Sequence, residues 1–465
     1  MEKMKHTYKI LMILAVIAAV ALVAAQCGAQ PTPETVTVVQ TVEKTVIETV
    51  EKTVVETVEK EVVTTVEVPK EVIKNVQPVI YNSNASDPEP RRVDEMLVKM
   101  FNDANPEYPV QHSIVNHEDF KQAIRAYLVA DPSPDVLTWF AGNRARFFID
   151  KGLIMDISDV WQNEGWNDNY PKGFRALSEV DGKAYFLPSN YYWWAMFYRK
   201  SVFEANNITP PKTWDDLLSA CDTLNANGVI PITIGTKFRW TAAAWFDYLN
   251  MRVNGPEFHR DLMLGKESYT DPRVKDVFVK WKELFDHKCF IDNPAAYSWQ
   301  EAVDPFAQGD AAMYLMGQFI MDSVPPEVQD DVDFFQFPII DPSVPIGEDA
   351  PTDGYFISAK AQNPEGAKKF LAFLGSTEAQ TVMAKELGRL VVDKRVDRSI
   401  YGPMEQKGLE MIDTADLVMQ FYDRDTTPEM ADEGMNGFMA FWDNPGDIDA
   451  ILEQLEAKRQ ELFVQ

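Results

Sequence analysis

Residues 79–139 read VIYNSNASDPEPRRVDEMLVKMFNDANPEYPVQHSIVNHEDFKQAIRAYLVADPSPDVLTW, and their patterning decides the fold. Val79-Ile80-Tyr81 is a short apolar run that stops at Asn82-Ser83-Asn84, a strand followed by a loop. Across 89–102, Val93, Met96, Leu97 and Met100 recur at the spacing of one helix face. Residues 110–115 alternate as a strand, 119–129 are helical, and 134–139 form a third strand that ends in an aromatic. Strand–helix–strand–helix–strand demands a largely parallel sheet, because parallel neighbours can be joined only by a crossover and the helices supply it.

The same alternation continues outward. The aromatic run 191–198 reads as a strand. Thr213-Trp214-Asp215-Asp216 opens a helix, with a hydroxyl to cap the free amides and acids in the first turn. That helix runs to 225, with Gly228 past its end. Residues 229–235 are the next strand, and 309–315 are a buried strand entered from a turn. In 364–374 a proline stands at the start and Ala367, Phe370, Leu371 and Leu374 share one face. A last helix covers 449–463.

Ahead of this α/β portion the composition is different. Lys3, Lys5 and Lys9 precede an almost purely apolar run over 10–25, so residues 1–26 read as a signal peptide. The run is shorter than the ~20 residues of a spanning helix, the alternative reading. Ala24 and Ala25 precede Gln26-Cys27-Gly28, which resembles a bacterial lipobox with Cys27 as the diacylated residue. Gln26 departs from that motif, which has a small residue there. Residues 41–48 (TVEKTVIE), 49–56 (TVEKTVVE) and 57–64 (TVEKEVVT) then repeat, with a degenerate copy TVEVPKEV over 65–72. Valines every four residues wind around a helix of 3.6 residues per turn instead of forming one face, and on a strand they share their face with lysines. Neither template buries a core, so residues 27–78 are read as a lipid-anchored spacer with a coil reach of roughly 40 Å.

The 465 residues carry 72 acids against 44 bases, a formal charge of -28. Such a surface repels phosphate backbones and anionic lipid, which argues against nucleic acid as partner and for an anchor as the membrane contact. The three cysteines are too few for a disulfide scaffold. Cys221 and Cys289 either pair or stay as buried thiols. Five histidines, with no HExxH, no GxSxG and no P-loop spacing, offer no catalytic motif, no metal set and no cofactor site.

Five segments, in this order, carry a resemblance: PDVLTWFAG (134–142), DGKAYFLPSNYYWWAMFYRKSVFEANNITPPKTWDDLLSACDTL (181–224), VIPITIG (229–235), FAQGDAAMYLMGQF (306–319) and DGYFISAKAQNPEGAKKFLAFL (353–374). From about 79 to 465 the chain resembles the extracellular solute-binding proteins of bacterial ABC importers, the family of maltose-binding protein. The resemblance implies a two-lobed α/β fold of the periplasmic-binding-protein type with crossing inter-lobe strands. Lobe one would take 79–190 and 350–390, and lobe two 191–349 and 391–465. It implies a monomer on the outer face of the cytoplasmic membrane that captures a carbohydrate by hinge closure and delivers it to the permease, without catalysis. The alternatives are another small organic solute such as a polyamine, or a secreted carbohydrate-active enzyme.

A sugar offers C–H faces to aromatic rings and hydroxyl edges to polar side chains, so its cleft mixes both at strand ends. At the positions where the family binds, this chain has Asn84 in the first loop, and Trp139, Asn143 and Arg144 after the third strand. Tyr192 and Trp194 are preferred within 191–194, since alternation sends only two of the four rings to one face. Lys237, Arg239 and Trp240 match the loop after the second lobe's strand. Gln318 and Phe319 follow the buried strand, and Asp353 and Tyr355 stand just ahead of the return strand.

Overall fold

The patterns of residues 79–139 produce the elements they imply. In the computed structural model, which describes residues 77–464, the first strands are β1 (Val79–Ser83), β2 (Val110–Ile114), β3 (Val136–Phe140), β4 (Glu179–Val180), β5 (Lys183–Ala184), β6 (Leu187–Tyr191) and β7 (Trp194–Arg199). There follow β8 (Ile230–Ile232), β9 (Ala311–Gly317), β10 (Val332–Phe335), β11 (Gly347–Asp349), β12 (Thr352–Ile357), β13 (Leu390–Val391) and β14 (Leu417–Met419). The signal-peptide segment, Cys27 and the octapeptide repeat lie outside the described residues.

Two sheets result. One has the order β13-β6-β12-β3-β1-β2, and the other β10-β7-β9-β8. In the first, β1 is parallel to both β2 and β3. The helices Pro88–Ala104 and His117–Val129 make the two crossovers. The first buries Val93, Leu97, Val98 and Phe101, with Met96 and Met100 left at the margin of that stripe. The return strand β12 is antiparallel to β3 and to β6. In the second sheet every residue of β9 is buried. β9 runs parallel to β8 and antiparallel to β7. Among the described residues no helix is long and apolar enough to cross a membrane.

The aromatic run 191–198 is not one strand. It breaks at Tyr192-Trp193, where the chain leaves the first sheet as β6 and enters the second as β7. It passes back at Ala350-Pro351, between β11 and β12. Trp193 turns into the core, with its ring against Phe334 and against Gly408, where any Cβ would sit 2.4 Å from the indole. Gly408 is therefore fixed by packing and not by backbone geometry.

Thr213 caps the helix Trp214–Ala226 as its sequence implies: its hydroxyl accepts from the Asp216 amide, and Asp216 accepts from the Thr213 amide. Such a box is worth about 1 kcal/mol. Cys221 on that helix is disulfide-bonded to Cys289, with Cα atoms 5.2 Å apart. Pairing therefore replaces the free-thiol alternative. The sequence reading placed Trp240 in a loop, but it is the first residue of the helix Trp240–Asn254, buried along almost its whole length. A helix buried on every side shows no stripe and escapes a periodicity search.

Candidate functional site

A cavity of about 210 Å³ lies beyond the carboxyl ends of β1 and β3. Ser83, Asn84, Thr138, Trp139 and Phe140 reach it from that side. Ligands of open α/β sheets sit at such strand ends, where side chains of several loops converge. From the second sheet come Trp194, which opens β7, and Phe319, which follows β9.

One wall is aromatic. The Trp194 ring stacks on Phe421 at 4.7 Å and meets Trp240 edge-on at 6.0 Å. Phe319 meets Trp299 edge-on at 5.2 Å and Tyr192 edge-on at 5.2 Å. Each ring is held by the next in an edge-to-face or stacked geometry that its quadrupole favours. The buried indole N–H of Trp194 has no acceptor among the described residues.

The other wall is polar and built from charge pairs. Asp353 sits in β12 at a register shift against β6, and a bulge of this kind redirects a side chain out of the ladder. The next residue must be glycine, since a Cβ on Gly354 would stand 1.9 Å from the Leu187 carbonyl oxygen. The Arg424 guanidinium donates to Asp353 at 2.8 Å, to the Tyr192 hydroxyl at 2.9 Å and to the Thr352 carbonyl at 3.2 Å. It also lies 4.3 Å over the Phe140 ring, a cation on an aromatic face. Asp353 keeps 33% of its side chain exposed, and its Oδ2 takes no hydrogen bond among the described residues. Burial raises its pKa, and Arg424 opposes that.

Two further pairs flank this one. Arg389 is ion-paired with Asp322 and held by the Gln318 side chain at 2.7 Å. Lys121 reaches Glu118 at 3.2 Å, and Glu118 accepts the Trp240 indole N–H at 3.1 Å. His117 also lines the cavity, its pKa pushed well down by burial and then by the cations Lys121, Arg424 and Arg144. Among the described residues no cluster of three or more His, Cys, Asp or Glu is placed to hold a metal ion. The chemistry on offer is recognition: a flat apolar face opposite fixed donors and acceptors.

The structure brings eight of the residues named from sequence to this cavity: Asn84, Trp139, Tyr192, Trp194, Trp240, Phe319, Asp353 and Tyr355. The other five do not line it. Asn143 donates to the Asp425 carbonyl at 2.8 Å, a link between loops. Arg144 lies over the Trp139 ring and 3.7 Å from Asp423. Gln318 sits behind the wall, where it orients Arg389. Lys237 is exposed beside Phe238, and Arg239 turns to Asp432 at 2.8 Å through a left-handed φ of 65°. The sequence reading passed over His117, Lys121, Trp299, Asp322, Arg389 and Arg424.

The family model for bacterial extracellular solute-binding proteins matches residues 85–381. An uncharacterized ABC transporter extracellular-binding protein of Pyrococcus horikoshii is 27% identical over 358 residues, 74% of this chain and 78% of that one. The solved structure of the bacterial solute receptor AcbH superposes with a TM-score of 0.79 at 30% identity, covering 83% of this chain and 99% of that one. That receptor is described as having an exclusive preference for β-D-galactopyranose. A chitin oligosaccharide binding protein shares the fold with a TM-score of 0.76 at 20% identity, covering 82% of this chain and 98% of that one.

Proposed function

The chain belongs to the bacterial extracellular solute-binding proteins, and from that premise we propose that it captures a carbohydrate outside the cytoplasmic membrane and delivers it to the permease of an ABC importer. The observation that carries this reading is the pairing of the two walls. Rings at Trp194, Trp240 and Phe319 offer apolar faces to C–H groups, and Asp353, Arg424 and Asn84 offer donors and acceptors to hydroxyls. The sugar preference described for AcbH, at 30% identity over almost its full length, supports the same ligand class. Lobe one takes 79–190 and 350–390, lobe two takes 191–349 and 391–465, and the hinge lies where the chain crosses between the sheets. Capture proceeds by hinge closure. The protein acts as a monomer, catalyses nothing, and is held at the membrane by lipid on Cys27.

A thermal-shift screen of neutral sugars and polyamines on the full chain tests the ligand class. A ligand at 100 times its dissociation constant adds about 2.7 kcal/mol by mass action, which moves the melting temperature measurably. A shift with at least one sugar, unchanged on recovery of the ligand, is expected. A shift with a polyamine and none with any sugar overturns the reading, and sugar recovered in cleaved form overturns its non-enzymatic part.

A further inference from the structure

We propose that the site takes a single neutral pyranose, and that contacts across the cleft exclude a second sugar ring; this rests on the carbohydrate reading above. Three observations lead to it.

The first is size. The cavity of about 210 Å³ is smaller than the roughly 300–1,000 Å³ of clefts that hold drug-sized ligands. A space of this size favours one sugar ring over two. None of the residues that line it is exposed.

The second is closure on several sides. The Trp240 indole N–H donates to Glu118 at 3.1 Å, joining the helix behind the aromatic wall to the helix after β2. The Gln300 amide donates to Asp87 at 3.3 Å, joining the loop before β9 to the loop after β1. Asp322, just after β9, pairs with Arg389, just before β13. Each bond links an element of one sheet's surroundings to an element of the other's. A second ring leaving the first in any of these directions would have to break one of them and strand a buried polar or charged group.

The third is charge. Among the described residues each cation at the cavity already has its carboxylate: Arg424 has Asp353, Arg389 has Asp322 and Lys121 has Glu118. A sugar acid would find no uncommitted cation to meet its carboxylate, and burying that charge unpaired is unfavourable.

Isothermal titration of the full chain tests this with pyranose monosaccharides, the disaccharides made from them, their methyl glycosides and the matching uronic acids. At least one neutral monosaccharide is expected to bind. Its disaccharides and its uronic acid should bind at least a hundredfold more weakly, and one anomeric methyl glycoside at least tenfold more weakly. Gln300→Ala removes one cross-cleft bond and should narrow the gap between mono- and disaccharide. A disaccharide or trisaccharide that binds wild type as tightly as any monosaccharide overturns the size inference while the carbohydrate reading stands. A uronic acid that binds best overturns the charge argument. If a non-sugar solute binds and no sugar does, the underlying reading fails with it.

Discussion

On the side of the six-stranded sheet the cavity is walled mainly by charges held in pairs, whereas on the side of the four-stranded sheet it is walled mainly by rings held edge to face. The rings belong to elements packed on one continuous core, and each is locked by its neighbours. Two of the charge pairs join the surroundings of the two sheets, Asp353 with Arg424 at 71 residues' separation and Arg389 with Asp322 at 67, while Lys121 and Glu118 share one helix. The aromatic face is therefore ready before ligand arrives. The polar face, with two pairs that bridge the surroundings of the two sheets, is expected to be completed by closure of the lobes. In a hinged receptor this division makes sense, because stacking needs a rigid platform and hydroxyl recognition can report closure.

The largest effect should come from loosening what lies beneath the platform. The Cys221–Cys289 bond closes a loop over 68 residues and ties the helix Trp214–Ala226 to the segment beside β8. Loop entropy for a span of that order is worth about 4 kcal/mol. Replacing both cysteines by serine should lower the denaturation free energy by about that amount, read by chemical denaturation. Sugar affinity of the fraction that remains folded should be unchanged. A parallel collapse of affinity would show that the aromatic face is not prebuilt but is tuned by the bond.

Asp353→Asn attacks the other face. It leaves the Arg424 guanidinium without its carboxylate and removes an acceptor that faces the cavity. A hydrogen bond to a charged group is worth about 1.5–3 kcal/mol, so affinity should fall roughly tenfold to a hundredfold. The circular dichroism spectrum should stay that of the folded protein, while the melting temperature of the free protein falls because the buried Arg424 loses its carboxylate. A large loss of stability with intact affinity would make the pair a structural tie.

His117 offers a smaller, pH-dependent test on the same face. Burial and the neighbouring cations hold its pKa well below the usual histidine value, so the folded state prefers the neutral imidazole. The stability this contributes is complete above the unfolded pKa of about 6.5 and is lost as pH falls toward the depressed folded value. His117→Gln should flatten that acid limb by about 1.4 kcal/mol per pH unit, one proton's worth. Identical slopes for variant and wild type between pH 6 and pH 4.5 would mean that the imidazole is already charged in the folded protein.

How much of this was legible in the sequence follows the same division. The rings in YYWW and the return strand at DGYF are dense local signals, and the residues picked from them, Tyr192, Trp194 and Asp353, line the cavity. The Thr213 cap was legible because a capping box is a matter of four neighbouring residues. Arg389 and Arg424 were not legible, because each matters only through a partner some seventy residues away. Strand-end reasoning located the neighbourhood of Asn143, Gln318 and Arg239 but not the direction of their side chains, which depends on single backbone angles such as the left-handed turn at Arg239. The helix Trp240–Asn254 was missed for the opposite reason: burial on all sides leaves no period to read.

Trp240 is where the two faces touch, and it gives the finest test. Its ring belongs to the aromatic wall, in edge contact with Trp194, while its N–H crosses the cleft to Glu118. Trp240→Phe keeps an aromatic ring at the position and deletes the donor together with the indole's second ring. The smaller ring stays packed but leaves some space, so the free protein should melt only slightly lower. The lost bond connects the lobes only when they are closed, so its cost falls on closure. A net value of about 1 kcal/mol corresponds to an affinity roughly fivefold weaker, carried by faster dissociation because closure is what retains the ligand. Trp240→Ala removes the ring as well and should weaken binding much further. If the phenylalanine variant bound as weakly as the alanine variant, the cross-cleft bond would outweigh stacking, and the supposed fixed face would owe its function to closure just as the polar face does.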